Sequence, residues 1–149
     1  MKVGLQKTSQ TWETCLTGTR AVVFVVDDDE SVRGSLKRLI RSLGLAVETF
    51  ASAEDFLSSP HRLAADCLIL DIRMPGMSGI DLQQRLAQAG SRIPIIFISA
   101  HDDQEARLRA MKGGAVAFLQ KPFEEEDLLE AICAALWRRK ARTQNGGAP

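Results

Sequence analysis

Three consecutive carboxylates, Asp27, Asp28 and Asp29, a fourth at Asp71, a hydroxyl at Ser99 and an ammonium at Lys121 each follow a short apolar run. Crowded carboxylates repel one another, so they either hold a proton at a raised pKa or recruit a hard cation, and Mg²⁺ prefers oxygen ligands with several retained waters. A cation beside Asp71 can bridge an incoming phosphoryl group. Lys121 can bring a point charge to it, and the Ser99 hydroxyl can donate a hydrogen bond to a phosphoryl oxygen. Such transfer needs mainly positioning and charge neutralisation. An aspartate carboxylate can itself take the group covalently.

Positioning these groups falls to alternating short apolar runs and stretches of helical period. Ala21 to Val26 (AVVFVV) is a continuous β-branched run, as a strand buried on both faces requires. Val32, Leu36, Leu39, Ile40 and Leu43 then form one helical stripe that Gly44 stops. Leu45 to Phe50, interrupted by Glu48 and Thr49, reads as an edge strand. Ser52 with Asp55 resembles a capping box opening a short helix that ends before Pro60. Cys67 to Leu70 is a third strand, followed by a turn (DIRMPGMSG) and a helix capped by Ser78 with Leu82 and Leu86 inward. Ile93 to Ile98 is a fourth strand, with Pro94 tolerated only near its start. The helix over about 102–112 has mainly Ala106, Ala110 and Met111 to bury, which marks it as a candidate mobile element. Ala115 to Leu119 is the fifth strand, and a last helix from Glu124 buries Leu128, Leu129, Ile132, Ala135 and Leu136.

This alternation predicts a doubly wound α/β fold, a flavodoxin-like (βα)5 parallel sheet in strand order 2-1-3-4-5. The polar groups all fall at carboxyl ends of strands, where open parallel sheets bind ligands. Residues 1–20 read as a flexible leader, 21–140 as the domain and 141–149 as a disordered tail.

Composition narrows the function classes. The 149 residues are 45% hydrophobic and 26% charged, with formal net charge +0. A pI near 6.7 argues against a generally basic nucleic-acid binder, so no direct nucleic-acid binding is expected. Residues 1–20 lack the apolar core of a signal peptide, and no run approaches a membrane span, so the expected place is cytoplasmic with no membrane association. Cys15, Cys67 and Cys133 form no CxxC and cannot all pair, which suggests neither a zinc site nor a disulfide framework and fits a reducing compartment.

VVDDDES, LILDIRMPGMSGIDL, Ser99-Ala100 and AVAFLQKPF together resemble the receiver domain of bacterial two-component response regulators. The likeness extends from about Ala21 to Trp137, and DIRMPGMSG and KPF resemble in particular the receivers of nitrogen-fixation-type regulators, which usually carry a LuxR-type DNA-binding output. The resemblance implies that Asp71 accepts a phosphoryl group from a sensor histidine kinase or a phosphotransfer protein, with phosphorylation and dephosphorylation self-catalysed. It implies Mg²⁺ or Mn²⁺ held directly by Asp28, Asp71 and the backbone carbonyl of Arg73, and by Asp27 through water. Lys121 matches the lysine that contacts the phosphoryl group, and its bond to Pro122 would be cis. Ser99 matches the switch hydroxyl. Phe118 matches the switch aromatic, whose ring would turn inward as Ser99 moves and reshape the face of the fourth helix, fifth strand and fifth helix. Arg73 and His101 match positions that tune acyl-phosphate hydrolysis. A phosphorylation-dependent homodimer is a candidate outcome. The residues after 140 leave no room for a helix-turn-helix, so transcription regulation would act through a partner or a part of the protein outside this sequence.

Plainer readings compete at several positions. Asp29 and Glu30 suit a helix N-terminus without any metal. His101 reads as an exposed loop residue. Met74, Met77, Pro75 and Gly76 can simply shape a turn, and Arg138, Arg139, Lys140 and Arg142 suit a helix C-terminus. An alternative function is a haloacid-dehalogenase-like phosphohydrolase using Asp27, since Asp27-x-Asp29-x-Ser31 resembles its nucleophile motif, but that scheme leaves Asp71 idle. A flavin-binding flavodoxin-like module would share the topology, yet no Ser/Thr-rich phosphate loop follows the first strand.

Overall fold

Five short runs line up as one parallel sheet, the central ones apolar on both faces and the edge run AVETF more polar, and each is followed by a helix that returns the chain. The computed structural model describes residues 15–16 and 20–146. The elements are β1 (Val22–Val26), α1 (Glu30–Ser42), β2 (Ala46–Phe50), α2 (Ala53–Ser58), β3 (Cys67–Asp71), α3 (Gly79–Gln88), β4 (Ile95–Ser99), α4 (Gln104–Lys112), β5 (Ala117–Gln120) and α5 (Glu125–Gly146). A 3-10 turn, Arg62–Ala64, sits between α2 and β3. The sheet order is β2-β1-β3-β4-β5, all neighbours parallel, so the expected fold class is the observed one and β2 lies at an edge.

Strand alternation divides the core in two. Phe24, Val26, Leu68, Leu70 and Phe97 face α2, α3 and α4, where they meet Phe56, Leu82 and Ala110. Val23, Val25, Ile69, Ile96 and Ile98 face α1 and α5, meeting Ile40, Leu128 and Ile132. Phe24, Phe50 and Phe56 form a compact aromatic triangle with centroids 5.4, 5.9 and 5.6 Å apart, which fixes α2 against the edge strand.

The helix starts are locally written. Asp29 caps α1 by accepting the Ser31 and Val32 N–H groups, the plainer of its two readings. Ser52 caps α2 through Asp55 N–H. Ser78 and Asp81 make a reciprocal capping box on α3.

Three boundaries differ from the sequence reading. α5 runs on to Gly146, so the tail placed from residue 141 is helical over its first part; Ala141 to Gly146 hold no helix breaker before the glycine pair. β4 starts at Ile95, leaving Pro94 outside the ladder, where its missing N–H costs nothing. Within the leader, Cys15 and Leu16 are described and packed: Leu16 is buried with Leu36, Ile40 and Leu128, and Cys15 is joined to Cys133 as a disulfide, 118 residues away. The expectation of no disulfide is therefore corrected, since the fold lays this segment along α5, a proximity no local spacing encodes. The rest of the leader lies outside the described residues. No helix among the described residues is long and apolar enough to cross a membrane.

Candidate functional site

Four strands deliver their last residues to one edge of the sheet. In register, Val26 stands beside Leu70, Asp71 beside Ile98, and Ser99 beside Gln120, so the polar residues at these ends converge. Asp27, Asp28 and Asp71 each offer a carboxylate oxygen, and these atoms lie within 4.8 Å of one another. Asp27 and Asp71 are buried and Asp28 is exposed, so the cluster opens on one side.

Asp27 is held from every direction. One carboxylate oxygen accepts the Asp29 N–H at 2.8 Å, the other pairs with Lys121 Nζ at 2.9 Å, and its carbonyl accepts the Arg33 guanidinium at 2.7 Å. Lys121 therefore reaches the acidic cluster through Asp27. Its backbone N–H donates to the Ser99 carbonyl at 2.7 Å, tying the ends of β4 and β5, and the Lys121–Pro122 peptide is cis.

Asp71 has the perturbed acidity of a functional group. Burial first, then the charges of Asp27 and Asp28, outweigh the Lys121 ammonium and push its pKa up to about 7. The loop after it is shaped by two glycines. Gly79 must lack a side chain because a Cβ there would collide with the Asp71 carbonyl, and Gly76 adopts φ +77°. The Glu54 carboxylate accepts the Met77 N–H at 3.1 Å and braces this loop from α2. Met74 is buried in the core beneath the loop and Met77 packs against it, so their plainer role holds.

The remaining expected residues surround this cluster. Ser99, 1% exposed, turns its hydroxyl to His101, donating to the carbonyl at 3.0 Å and accepting the N–H at 3.1 Å. The Arg73 side chain leaves the cluster and pairs with Asp103 at 3.1 Å. The Asp103 carboxyl is held below its ordinary range by the Ala106 N–H, against partial desolvation, with Arg73 adding to the effect. Phe118 is buried, with the Arg107 guanidinium 5.6 Å above its ring. The basic residues of α5 are used structurally: Arg138 donates to the Gly114 carbonyl at 2.8 Å and Arg139 pairs with Asp66 at 3.3 Å.

Sequence reading thus named Asp27, Asp28, Asp71 and Lys121, which the fold brings together. It missed Glu54, Gln83, Asp103 and Arg107. The position of Asp103 just before a helical stretch could have suggested a cap. Its pairing with Arg73, 30 residues away, carries no local signal.

The fold and its acidic strand-end pocket define a class, doubly wound α/β domains with their functional groups at the carboxyl edge of the sheet. Residues 23–133 match the response regulator receiver domain family model. The chain is 50% identical over 141 residues to the response regulator protein TodT of Pseudomonas putida, covering 91% of this chain and 61% of TodT. It is 40% identical over 118 residues to the transcriptional regulatory protein FixJ of Bradyrhizobium diazoefficiens, covering 79% and 58%. Among solved structures, response regulator StyR superposes with TM-score 0.79 at 50% identity, over 87% of this chain and 65% of that one. The chain belongs to the response regulator receiver family of two-component signalling. It spans about three-fifths of the length of these curated relatives. Asp27 as a phosphohydrolase nucleophile is not favoured, since it is fully buried and both its oxygens are engaged.

Proposed function

We propose that this domain takes a phosphoryl group onto Asp71 from the phosphohistidine of a sensor histidine kinase or phosphotransfer protein, and that the modified state changes what its surface binds. The observation that carries this reading is the burial of Asp71 at the end of β3 with two further carboxylates inside 4.8 Å.

An Asp71 carboxylate oxygen attacks phosphorus and the bond from phosphorus to the donor imidazole nitrogen breaks, leaving neutral histidine after protonation. Later attack by water returns inorganic phosphate and the free carboxylate. Asp28, Asp71 and the Arg73 carbonyl, with Asp27 through water, would hold Mg²⁺ or Mn²⁺, and the clustered oxygen donors fit such a hard cation. When bound, the cation would neutralise charge on the carboxylates and the transferring group. Asp27 holds the Lys121 ammonium at the pocket, from where it can meet a phosphoryl oxygen. The Ser99 hydroxyl would exchange the His101 carbonyl for a phosphoryl oxygen, and that exchange pulls on the loop leading to α4. Because Phe118 is already buried, its part in the switch is a change in what covers it, with Arg107 and α4 as the cover.

The output follows as altered affinity for a partner, or homodimerisation, through the face around α4, β5 and α5. The name of FixJ, a transcriptional regulatory protein, supports transcription regulation as the end of the pathway. The test is trapping: after acetyl phosphate and Mg²⁺, borohydride reduction should mark Asp71, whereas a mark on Asp27 would restore the phosphohydrolase reading. An unchanged sedimentation coefficient together with unchanged partner affinity on phosphorylation would refute the output.

A further inference from the structure

α4 buries only Ala106 and Ala110 against the sheet, so its place depends on polar contacts at its ends. At the C-terminal end the buried Gln83 amide donates to the Ala110 carbonyl at 3.0 Å, and its side chain occupies the space that a Cβ on Gly113 would need. At the N-terminal end Asp103 does two things at once. One carboxylate oxygen accepts the Ala106 N–H at 3.0 Å and caps the helix, while the other takes the Arg73 guanidinium at 3.1 Å. Of the two grips, the partly exposed ion pair is the weaker.

Arg73 stands two residues beyond Asp71, so the side chain that Asp103 restrains belongs to the phosphoacceptor loop itself. Lys121 is engaged by the Asp27 carboxylate and the Arg33 guanidinium by the Asp27 carbonyl. A phosphoryl group carries more charge than a carboxylate and suits the planar guanidinium fork, so it can outcompete Asp103 for Arg73. We propose that Asp103 is a positioning residue: it draws the Arg73 guanidinium toward α4 and away from anions approaching Asp71, and loss of Arg73 to the phosphoryl oxygens unties the α4 N-terminus. This rests on Asp71 as phosphoacceptor. Asp103 keeps its Ala106 bond throughout, so the helix stays capped while its tie to the loop is exchanged.

Asp103→Asn separates the two duties, because asparagine caps a helix as well as aspartate but carries no charge for Arg73. The probe is acetyl phosphate with Mg²⁺, with incorporation followed by intact mass. The apparent second-order rate constant should rise about threefold in Asp103→Asn, the scale of one partly exposed ion pair. The rise should disappear in high salt and in an Arg73→Ala background. Asp103→Ser, a different cap without charge, should repeat the rise even if the asparagine variant folds poorly. A normal wild-type rate with both Asp103 variants unchanged would overturn this proposal alone, as would an equal rise in the Arg73→Ala background. No incorporation in the wild type would overturn the Asp71 reading and this proposal with it.

Discussion

α5 and α4 both pack on β5, yet they are held in opposite ways. α5 buries Leu128, Ala131, Ile132 and Ala135 in the core it shares with α1, and Cys133 ties it to the N-terminal segment. α4 buries two alanines, leaves Leu108 66% and Met111 44% exposed, and is otherwise held by Asp103, Gln83 and Arg107. Apolar burial is non-directional and worth about 1.5–3 kcal/mol for each large side chain. A single polar contact contributes about 1 kcal/mol and can be exchanged for another of the same kind. α4 is therefore held mainly by polar contacts and α5 mainly by apolar burial.

The largest expected effect lies on the fixed side. Ile132→Ala should cost about 2–5 kcal/mol of unfolding free energy in denaturant titration, whereas Leu108→Ala on α4 should stay within about 0.5 kcal/mol. Similar losses at the two positions would erase the contrast between the helices.

Next comes Asp71, at the strand ends between the two faces. Its folded pKa of about 7 lies above the ordinary 3.8, so between these values the folded state holds a proton that the unfolded chain has released. Its stabilising contribution is complete below about pH 4 and is lost as pH rises to about 7. Without divalent cations, Asp71→Asn should flatten that slope and be the more stable protein at pH 8. Parallel pH profiles for the two proteins would show that the carboxylates do not repel as described. For the same reason Mg²⁺ affinity should fall as pH drops below about 7, which calorimetry can follow.

A smaller loss, about 1 kcal/mol, is expected for Gln83→Leu, which removes the buried side-chain donor to the Ala110 carbonyl and leaves it the Ala115 N–H alone. Its sharper mark would be faster hydrogen exchange over α4 with α5 unaltered. Equal acceleration in both helices would mean that Gln83 supports the whole domain and not α4 in particular.

How much of this was legible in the sequence follows the range of each signal. The sheet order, the strand-end position of Asp27, Asp71, Ser99 and Lys121, and the weak amphipathicity of α4 are written in local periodicity, and all were readable. The long reach of α5 was not, because a polar helix end and a polar tail share the same composition. Contacts between distant segments were invisible: Cys15 with Cys133, Glu54 with Met77, and Arg73 with Asp103.

The most direct test of an Asp71 phosphoryl switch acting through α4 is hydrogen exchange by mass spectrometry, with and without acetyl phosphate and Mg²⁺, on protein whose intact mass shows one added phosphoryl group. Altered exchange is expected over residues 99–106 and around Phe118, with no change over Leu128 to Ala135 and no effect at all in Asp71→Ala. Full phosphoryl incorporation with exchange unchanged at α4, or with changes centred on α5, would contradict it.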